Sequence, residues 1–281
     1  MRTDLHTHSS YSDGTDTPAE ILKKAAAADL GMIALTDHDT TEGWVEAEEA
    51  VSATGVGLIR GMEVSCVYYG LSIHILSYLH DPVHSQLAEV TTNLRFARKN
   101  RIRIMAERLS EDFPIDYDSV LLCAGNASTL GRPHIADALV RAGVIPTRDD
   151  AFTHILSPRG PYYEPIPAIT PQDAIRLIHE AGGVAVFAHP FASSRGRVVT
   201  PQLMQDIISA GLDGVEIEHR DNSSAGRETL RTLAAEHDLI ITGSSDYHGM
   251  GKINRLGENT TEWHMVERIL AKAQGNTPLV P

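Results

Sequence analysis

Seven short apolar runs set the rhythm of this chain, at residues 3–8, 32–36, 57–64, 71–79, 183–189, 214–219 and 239–245, with helical stretches between them. Strands separated by helices return in the same direction, so the pattern predicts an α/β fold with a largely parallel sheet or a barrel. Seven strands is one short of the usual (β/α) barrel. Helix starts are written locally. In Thr17-Pro18-Ala19-Glu20, Thr caps, Pro takes the first helical position and Glu the third. Residues 81–167 break the rhythm, with long helical stretches at 85–113 and 133–142 and an exit marked by Pro158, Pro161, Pro165 and Pro167. The expected organisation is therefore a barrel from residues 1–80 and 168–281, and a mostly helical insertion over 81–167. That insertion is expected to be a substrate-facing lid, the alternative being simple cover for the core.

Composition excludes several classes. A formal net charge of −13 argues against a large nucleic-acid-binding surface, though not against a nucleotide or short oligonucleotide. Two cysteines, Cys66 and Cys123, make no disulfide framework and fit a reducing cytoplasm. The first residues lack the apolar stretch of a secretory signal, and no apolar run reaches the roughly 18 residues of a membrane span.

The chemistry collects where strands end, the place where a barrel gathers its loops. His6 and His8 are two apart on the first strand and so share a face. Alone, such a pair is as often structural as functional. Asp13 follows in the next loop, and Asp37-His38-Asp39 ends the second strand. Glu63 lies on the third strand, His74 on the fourth, His189 at the end of the fifth, and Asp246 and His248 just past the seventh. Histidine and carboxylate without cysteine is a ligand set for Zn, Mn or Fe. So many of these groups on one expected rim point to a multinuclear metal site.

In order, the segments Asp4-Leu-His6-Thr-His8-Ser, Ser12-Asp13-Gly14, Leu-Thr-Asp37-His38-Asp39, Gly61-Met-Glu63-Val, Ala-His189-Pro190 and Ser-Asp246-Tyr-His248 resemble a PHP-domain phosphoesterase across nearly the whole chain. The resemblance implies a distorted (β/α)7 barrel, the PHP fold, holding two or three metals in one cleft. It implies His6, His8, Glu63 and Asp246 around the first metal. Asp13, His38 and His248 would hold the second, and His74 and His189 the third, with Glu63 bridging. Asp37 and Asp39 are expected to orient neighbours rather than to ligate. Three divalent cations set against Asp13, Glu63, Asp246 and one hydroxide leave two positive charges, which a phosphate monoester dianion neutralises.

Gly131-Arg132-Pro133-His134-Ile-Ala, at a predicted helix start, suits a phosphate. It is similar to the Arg-Pro-His segment of a PHP subfamily that dephosphorylates nucleoside 3′,5′-bisphosphates or trims short RNA from the 5′ end. That subfamily often has Ser where Gly131 stands. Arg195 and Arg197, after His189-Pro190, form a second candidate phosphate clamp, and His219 a candidate substrate contact. The function expected is hydrolysis of a nucleotide phosphate ester by a metal-bridging hydroxide, with His134 as general acid or phosphate donor. The rivals are a histidinol-phosphate phosphatase, a C–N-cleaving amidohydrolase and a non-catalytic metal-dependent nucleotide-binding protein. A polymerase-associated PHP module fits poorly, because no polymerase sequence follows within the 281 residues.

Overall fold

The computed structural model describes residues 1–192 and 199–281. Seven strands form one sheet in simple chain order: β1 (Thr3–Thr7), β2 (Met32–Leu35), β3 (Gly57–Tyr68), β4 (Leu71–Tyr78), β5 (Val184–Phe187), β6 (Gly214–Glu218) and β7 (Ile240–Gly243). β1–β2, β2–β3, β5–β6 and β6–β7 pair parallel, whereas β4 runs antiparallel to both β3 and β5. The sheet curls into a nearly closed barrel: Thr7 bridges Tyr247, and the His8 N–H donates to the Tyr247 carbonyl at 2.8 Å.

Helices α1 (Pro18–Ala27), α2 (Trp44–Thr54), α7 (Pro171–Glu180), α8 (Pro201–Ser209), α9 (Ser224–Glu236) and α10 (Trp263–Lys272) surround the sheet. α1 starts as expected: Thr17 accepts from the Glu20 N–H, and the Glu20 carboxylate returns the bond to Thr17 N. Met32–Leu35 and Val184–Phe187 are buried at every position, as strands covered on both faces must be. Ile33 and Leu35 pack on Ile21 and Leu22 of α1 and Trp44 of α2, while Met32 and Ala34 join Ile59, Leu76 and Tyr78. Side chains alternate along a strand, so Glu63 shares the face of Ile59, and His74 that of Leu76. An apolar floor thus lies under the polar rim.

The expectation that every ligand sits at a strand's C-terminal end is corrected at β4. Because β4 is antiparallel, His74 lies in its first half, opposite Ser65, and reaches the same rim from the other direction. The β3–β4 hairpin turns at Tyr69 and Gly70, both with positive φ.

Between β4 and β5 lie α3 (Ser85–Leu109), α4 (Tyr117–Ala124), α5 (Arg132–Arg141) and α6 (Arg148–His154). They bury a cluster of their own that includes Ile102, Met105, Leu109, Val120, Ile135 and Leu139. No described helix is long and apolar enough to cross a membrane.

One core histidine makes stability pH-dependent. His80 is buried, with Nδ1 2.8 Å from the Ser77 hydroxyl, and burial pushes its pKa down to about 4. The unfolded chain takes up this proton near pH 6.5, so stability is intact above that pH and falls as pH drops towards 4. The span is on the order of 3 kcal/mol. Urea midpoints at pH 7 and pH 4.5 for the parent and His80→Gln should show the smaller pH-dependent loss in the variant. Equal losses would remove His80 from the account.

Candidate metal centre

Glu63 is the hub of the rim. Its Oε2 lies 3.2 Å from His6 Nε2, 3.0 Å from His8 Nε2 and 3.3 Å from His38 Nδ1. Its Oε1 lies 2.7 Å from His74 Nδ1 and 3.2 Å from His189 Nε2. Five imidazoles from four segments of the chain therefore surround one buried carboxylate. His6, His8, Glu63 and Asp246 form one group of converging donors, and His8, Asp13, His38 and His248 form another. The residues assigned from sequence to the first and second metals lie together in space, with His8 in both groups, whereas those assigned to the third, His74 and His189, fall in different groups. His74 joins Glu63 in a third group with His38, while His189 converges with His6 and Glu216.

Backbone geometry aims these side chains. His189 and Asp246 follow their strands with φ of 31° and 53°, a conformation non-glycine residues rarely adopt and one that collects at functional sites. The β1–β2 register shifts between Asp4 and Thr7, where His6 enters the rim. Asp37 accepts from the Ser9 N–H at 2.7 Å and from the Ser9 and Ser12 hydroxyls. Asp39 accepts from the Ser65 N–H, the Ser65 hydroxyl and Arg98 Nε, each at 2.7 Å. Asp37 fastens the loop that carries Asp13, and Asp39 ties the segment that carries His38 to β3 beside Glu63.

The donor chemistry fits divalent cations. The Nδ1 atoms of His38 and His74 are buried without a hydrogen bond although Glu63 is adjacent, so their lone pairs converge without satisfying one another. His6 Nδ1 is 3.0 Å from Glu216 Oε1 and His248 Nδ1 is 2.8 Å from the Asp246 carbonyl. Each contact places the proton on Nδ1 and leaves Nε2 as the ligand lone pair. Burial pushes the His6 pKa down, but Glu63, Glu216 and Asp246 outweigh it and hold it well above the usual value. His8 is raised likewise to about 9, against burial, by Asp246 and Glu63. Burial would raise Glu63, yet His38, His74 and His6 bring it well below the ordinary carboxylate range. Asp13 is lowered against its burial by His248 and His38. The carboxylates thus favour the charged form of His6 and His8, while burial favours the neutral form of His38 and His248. Divalent ions would neutralise the carboxylates and release protons.

The other expected residues are placed unevenly. His134 is buried at the start of α5, and its Nδ1 accepts from the Gly131 N–H at 3.0 Å. Burial lowers its pKa, so Nε2 carries the proton of a neutral ring. Gly131 adjoins the cluster: a Cβ there would sit 3.9 Å from Asp13 Oδ2 and 3.8 Å from Arg98 Nη1. The Arg132 guanidinium packs over the rings of Phe152 (5.2 Å) and Tyr163 (5.6 Å) and donates to the Leu156 carbonyl at 3.1 Å. Its described contacts therefore lie within the helical segment. His219 is fully buried, accepts from the Asp221 N–H, and points Nε2 at Asp246 Oδ2 from 3.5 Å. Arg195 and Arg197 lie outside the described residues.

Sequence reasoning missed Glu216, Lys252 and Arg98. Glu216, at the centre of β6, is buried, accepts from the His189 N–H at 2.8 Å as well as facing His6, and also binds the Ser244 hydroxyl. The signal was a carboxylate inside an apolar strand with no partner nearby in sequence. Lys252 Nζ is 2.8 Å from Asp246 Oδ2. The charge balance drawn from three carboxylates therefore loses one unit to Glu216 and regains it from Lys252.

Comparison with known proteins agrees with this geometry. Residues 4–128 match the PHP domain. The chain is 33% identical over 253 residues to a 3′,5′-nucleoside bisphosphate phosphatase of Chromobacterium violaceum, covering 90% of this chain and 89% of that one. It is 33% identical over 248 residues to the 5′-3′ exoribonuclease Rnm of Salmonella typhimurium, covering 87% and 84%. Among solved structures, a proposed metal-dependent phosphoesterase from Bifidobacterium adolescentis superposes with a TM-score of 0.94 at 43% identity, over 97% of this chain and 96% of that one. The chain belongs to the PHP family, and it is a hydrolase: a metal-dependent phosphoesterase.

Proposed function

We propose that this phosphoesterase removes the 3′-phosphate of nucleoside 3′,5′-bisphosphates and can also trim short oligonucleotides from the 5′ end. The observation that carries the reading is the placement of Gly131 and His134, at the start of α5, beside Asp13 of the ligand cluster. This brings the donors of a helix start within reach of a phosphate whose reacting oxygens face the histidines.

His6, His8, Asp13, His38, Glu63, His74, His189, Asp246 and His248 would hold two or three divalent ions, with Mn, Fe and Zn all compatible with this donor set. Such ions acidify a water and neutralise charge on phosphoryl oxygens. The chain's own groups do the rest. Glu216 fixes the His6 tautomer, and Lys252 holds the outer oxygen of Asp246, which His219 Nε2 also faces. As a neutral ring, His134 serves as a hydrogen-bond donor to a phosphoryl oxygen more readily than as a full acid. Arg98, Arg101 and Arg132 form a cationic wall, with Arg101 and Arg132 both packed on Tyr163. Burial and the neighbouring Arg132 push the Arg101 pKa down, and the negative charge of a second phosphate would favour both guanidinium ions. In the reaction, water oxygen bonds to phosphorus, the P–O3′ bond breaks, and the nucleoside 3′-oxygen leaves with a proton. Serine and cysteine nucleophiles are not required. The names of the relatives support the same substrate class.

The test is phosphate release with added Mn²⁺ from a nucleoside 3′,5′-bisphosphate, a 5′-phosphorylated dinucleotide and histidinol phosphate. The bisphosphate should be preferred by at least about ten-fold in kcat/KM, the loss expected when a second charged contact is missing. A preference for histidinol phosphate would reject the nucleotide assignment. Tight nucleotide binding without phosphate release would favour a non-catalytic binding protein.

A further inference from the structure

α3 is electrostatically out of character with the rest of the protein. In a chain of net charge −13, this one helix carries Arg95, Arg98, Lys99, Arg101, Arg103 and Arg108 against only Glu89 and Glu107. Arg98 faces the cleft, and Arg101 backs it. One face further round, α3 presents Arg95, Phe96 and Lys99 to a groove of about 440 Å³, closed on the other side by Leu121, Ala124 and Leu130. Phe96 is 74% exposed there. Lys99 has no ion pair among the described residues, whereas Arg95 donates to the Asp39 carbonyl at 2.9 Å and lies 4.0 Å from Glu42. An open aromatic ring flanked by cations on an otherwise acidic protein is what a sequence-tolerant single strand needs: a face for a base to stack on and charge for its backbone.

One wall of the groove adjoins residues beside the ligand cluster. Its inner wall ends at Leu130, and the next residue is Gly131, whose neighbours include both Asp13 and Arg98. The Ser128 and Thr129 N–H groups donate to the Tyr11 carbonyl, tying that wall to the loop that carries Asp13. A strand that left the cluster past Gly131 would have this wall beside it.

We propose that the α3–α4 groove binds the downstream portion of a short single-stranded oligonucleotide, with Phe96 stacking a base and Lys99 pairing with the backbone. The proposal rests on the phosphoesterase reading above and assigns the groove a specificity role within it. In a 5′-phosphorylated oligonucleotide, water oxygen bonds to the first internal phosphorus, the P–O3′ bond breaks, and the 3′-oxygen of the first nucleotide leaves with a proton. The phosphoryl group keeps its 5′-linked downstream chain, and that chain is what the groove holds. A nucleoside 3′,5′-bisphosphate undergoes the same bond cleavage but has nothing to place there. The groove thus separates two substrates that share one catalytic site.

The test compares the parent with Phe96→Ala/Lys99→Ala, two exposed positions whose loss leaves the core intact. For a 5′-phosphorylated RNA trinucleotide, kcat/KM should fall by about ten-fold or more. For a nucleoside 3′,5′-bisphosphate it should stay within about two-fold, since no contact to that substrate is removed. Fluorescence anisotropy with a labelled, non-hydrolysable methylene-phosphonate trinucleotide should show weaker binding by the variant. Equal loss on both substrates, or unchanged trinucleotide binding, would overturn the proposal. If the parent hydrolyses neither substrate, the phosphoesterase reading fails separately, and the anisotropy comparison decides the groove.

Discussion

His8→Ala should reduce phosphate release by about a thousand-fold or more, because the water would return towards its bulk pKa of roughly 15.7 from near 7. The size of the expected effect follows from where His8 sits. Its Nε2 is 3.0 Å from Glu63 and 3.4 Å from Asp246, and its Nδ1 is 3.8 Å from Asp13. It is common to both principal donor groups, so a single substitution weakens two candidate ion sites at once. Asp246→Ala should act comparably, since Asp246 Oδ1 faces His6, His8 and His248. The measurement is single-turnover phosphate release together with bound metal per chain. Circular dichroism should show the fold retained, because the apolar floor beneath the rim is untouched. Well-purified His8→Ala protein with full activity would sink the metal assignment.

The parts of this fold that could be read in advance are those coded by local chemistry. Thr17-Pro18-Ala19-Glu20 specifies a helix start with its own side chains, and that capping box formed as written. The all-apolar runs 32–35 and 184–187 could be little other than strands covered on both faces. The direction of β4 was not legible in this way. A hairpin and a crossover bury the same alternating residues, and only the Tyr69-Gly70 turn, with positive φ at both positions, selects the hairpin. The convergence of histidines and carboxylates at the rim was legible because these residue types are rare at strand ends. Its supporting groups were not. Arg98 is read from sequence as one more charge on a basic helix, yet folding turns it into Asp39 and Ser65. Lys252 is six residues beyond Asp246 in an irregular segment, with no periodicity to aim it. Arg132 opens a helix that its Pro133 marks in the sequence, but the stacking of its guanidinium on Phe152 and Tyr163 is a tertiary contact that the sequence does not reveal.

Glu216 is the supporting residue with the largest expected effect, and two substitutions separate its roles. Its carboxylate serves three donors at once, His6 Nδ1, the His189 N–H and the Ser244 hydroxyl, with no exposure to water. Burial alone would raise its pKa, but His6 and His219 outweigh it and bring it to about 2, so it stays ionised throughout the physiological range. Glu216→Ala strands all three donors and opens a cavity, at a cost of roughly 3–5 kcal/mol. The Tm should fall sharply and protein yield with it. Glu216→Gln keeps the volume. Its single amide oxygen can accept from His6 or from His189 but serves both poorly, and its NH₂ faces donors. The expected result is a near-parental fold with metal affinity lower by about 10–100-fold, the effect typical of losing a group that orients a ligating histidine. Titration of metal-free Glu216→Gln with Mn²⁺, followed by the stoichiometry of bound ion and by phosphate release at saturating Mn²⁺, distinguishes orientation from simple stability. Activity should recover substantially as Mn²⁺ is raised, because the ligands remain. If Glu216→Gln binds Mn²⁺ as tightly as the parent and works equally well at low Mn²⁺, the carboxylate is only filling β6's interior. His6 is then held by Glu63 and Asp246 alone.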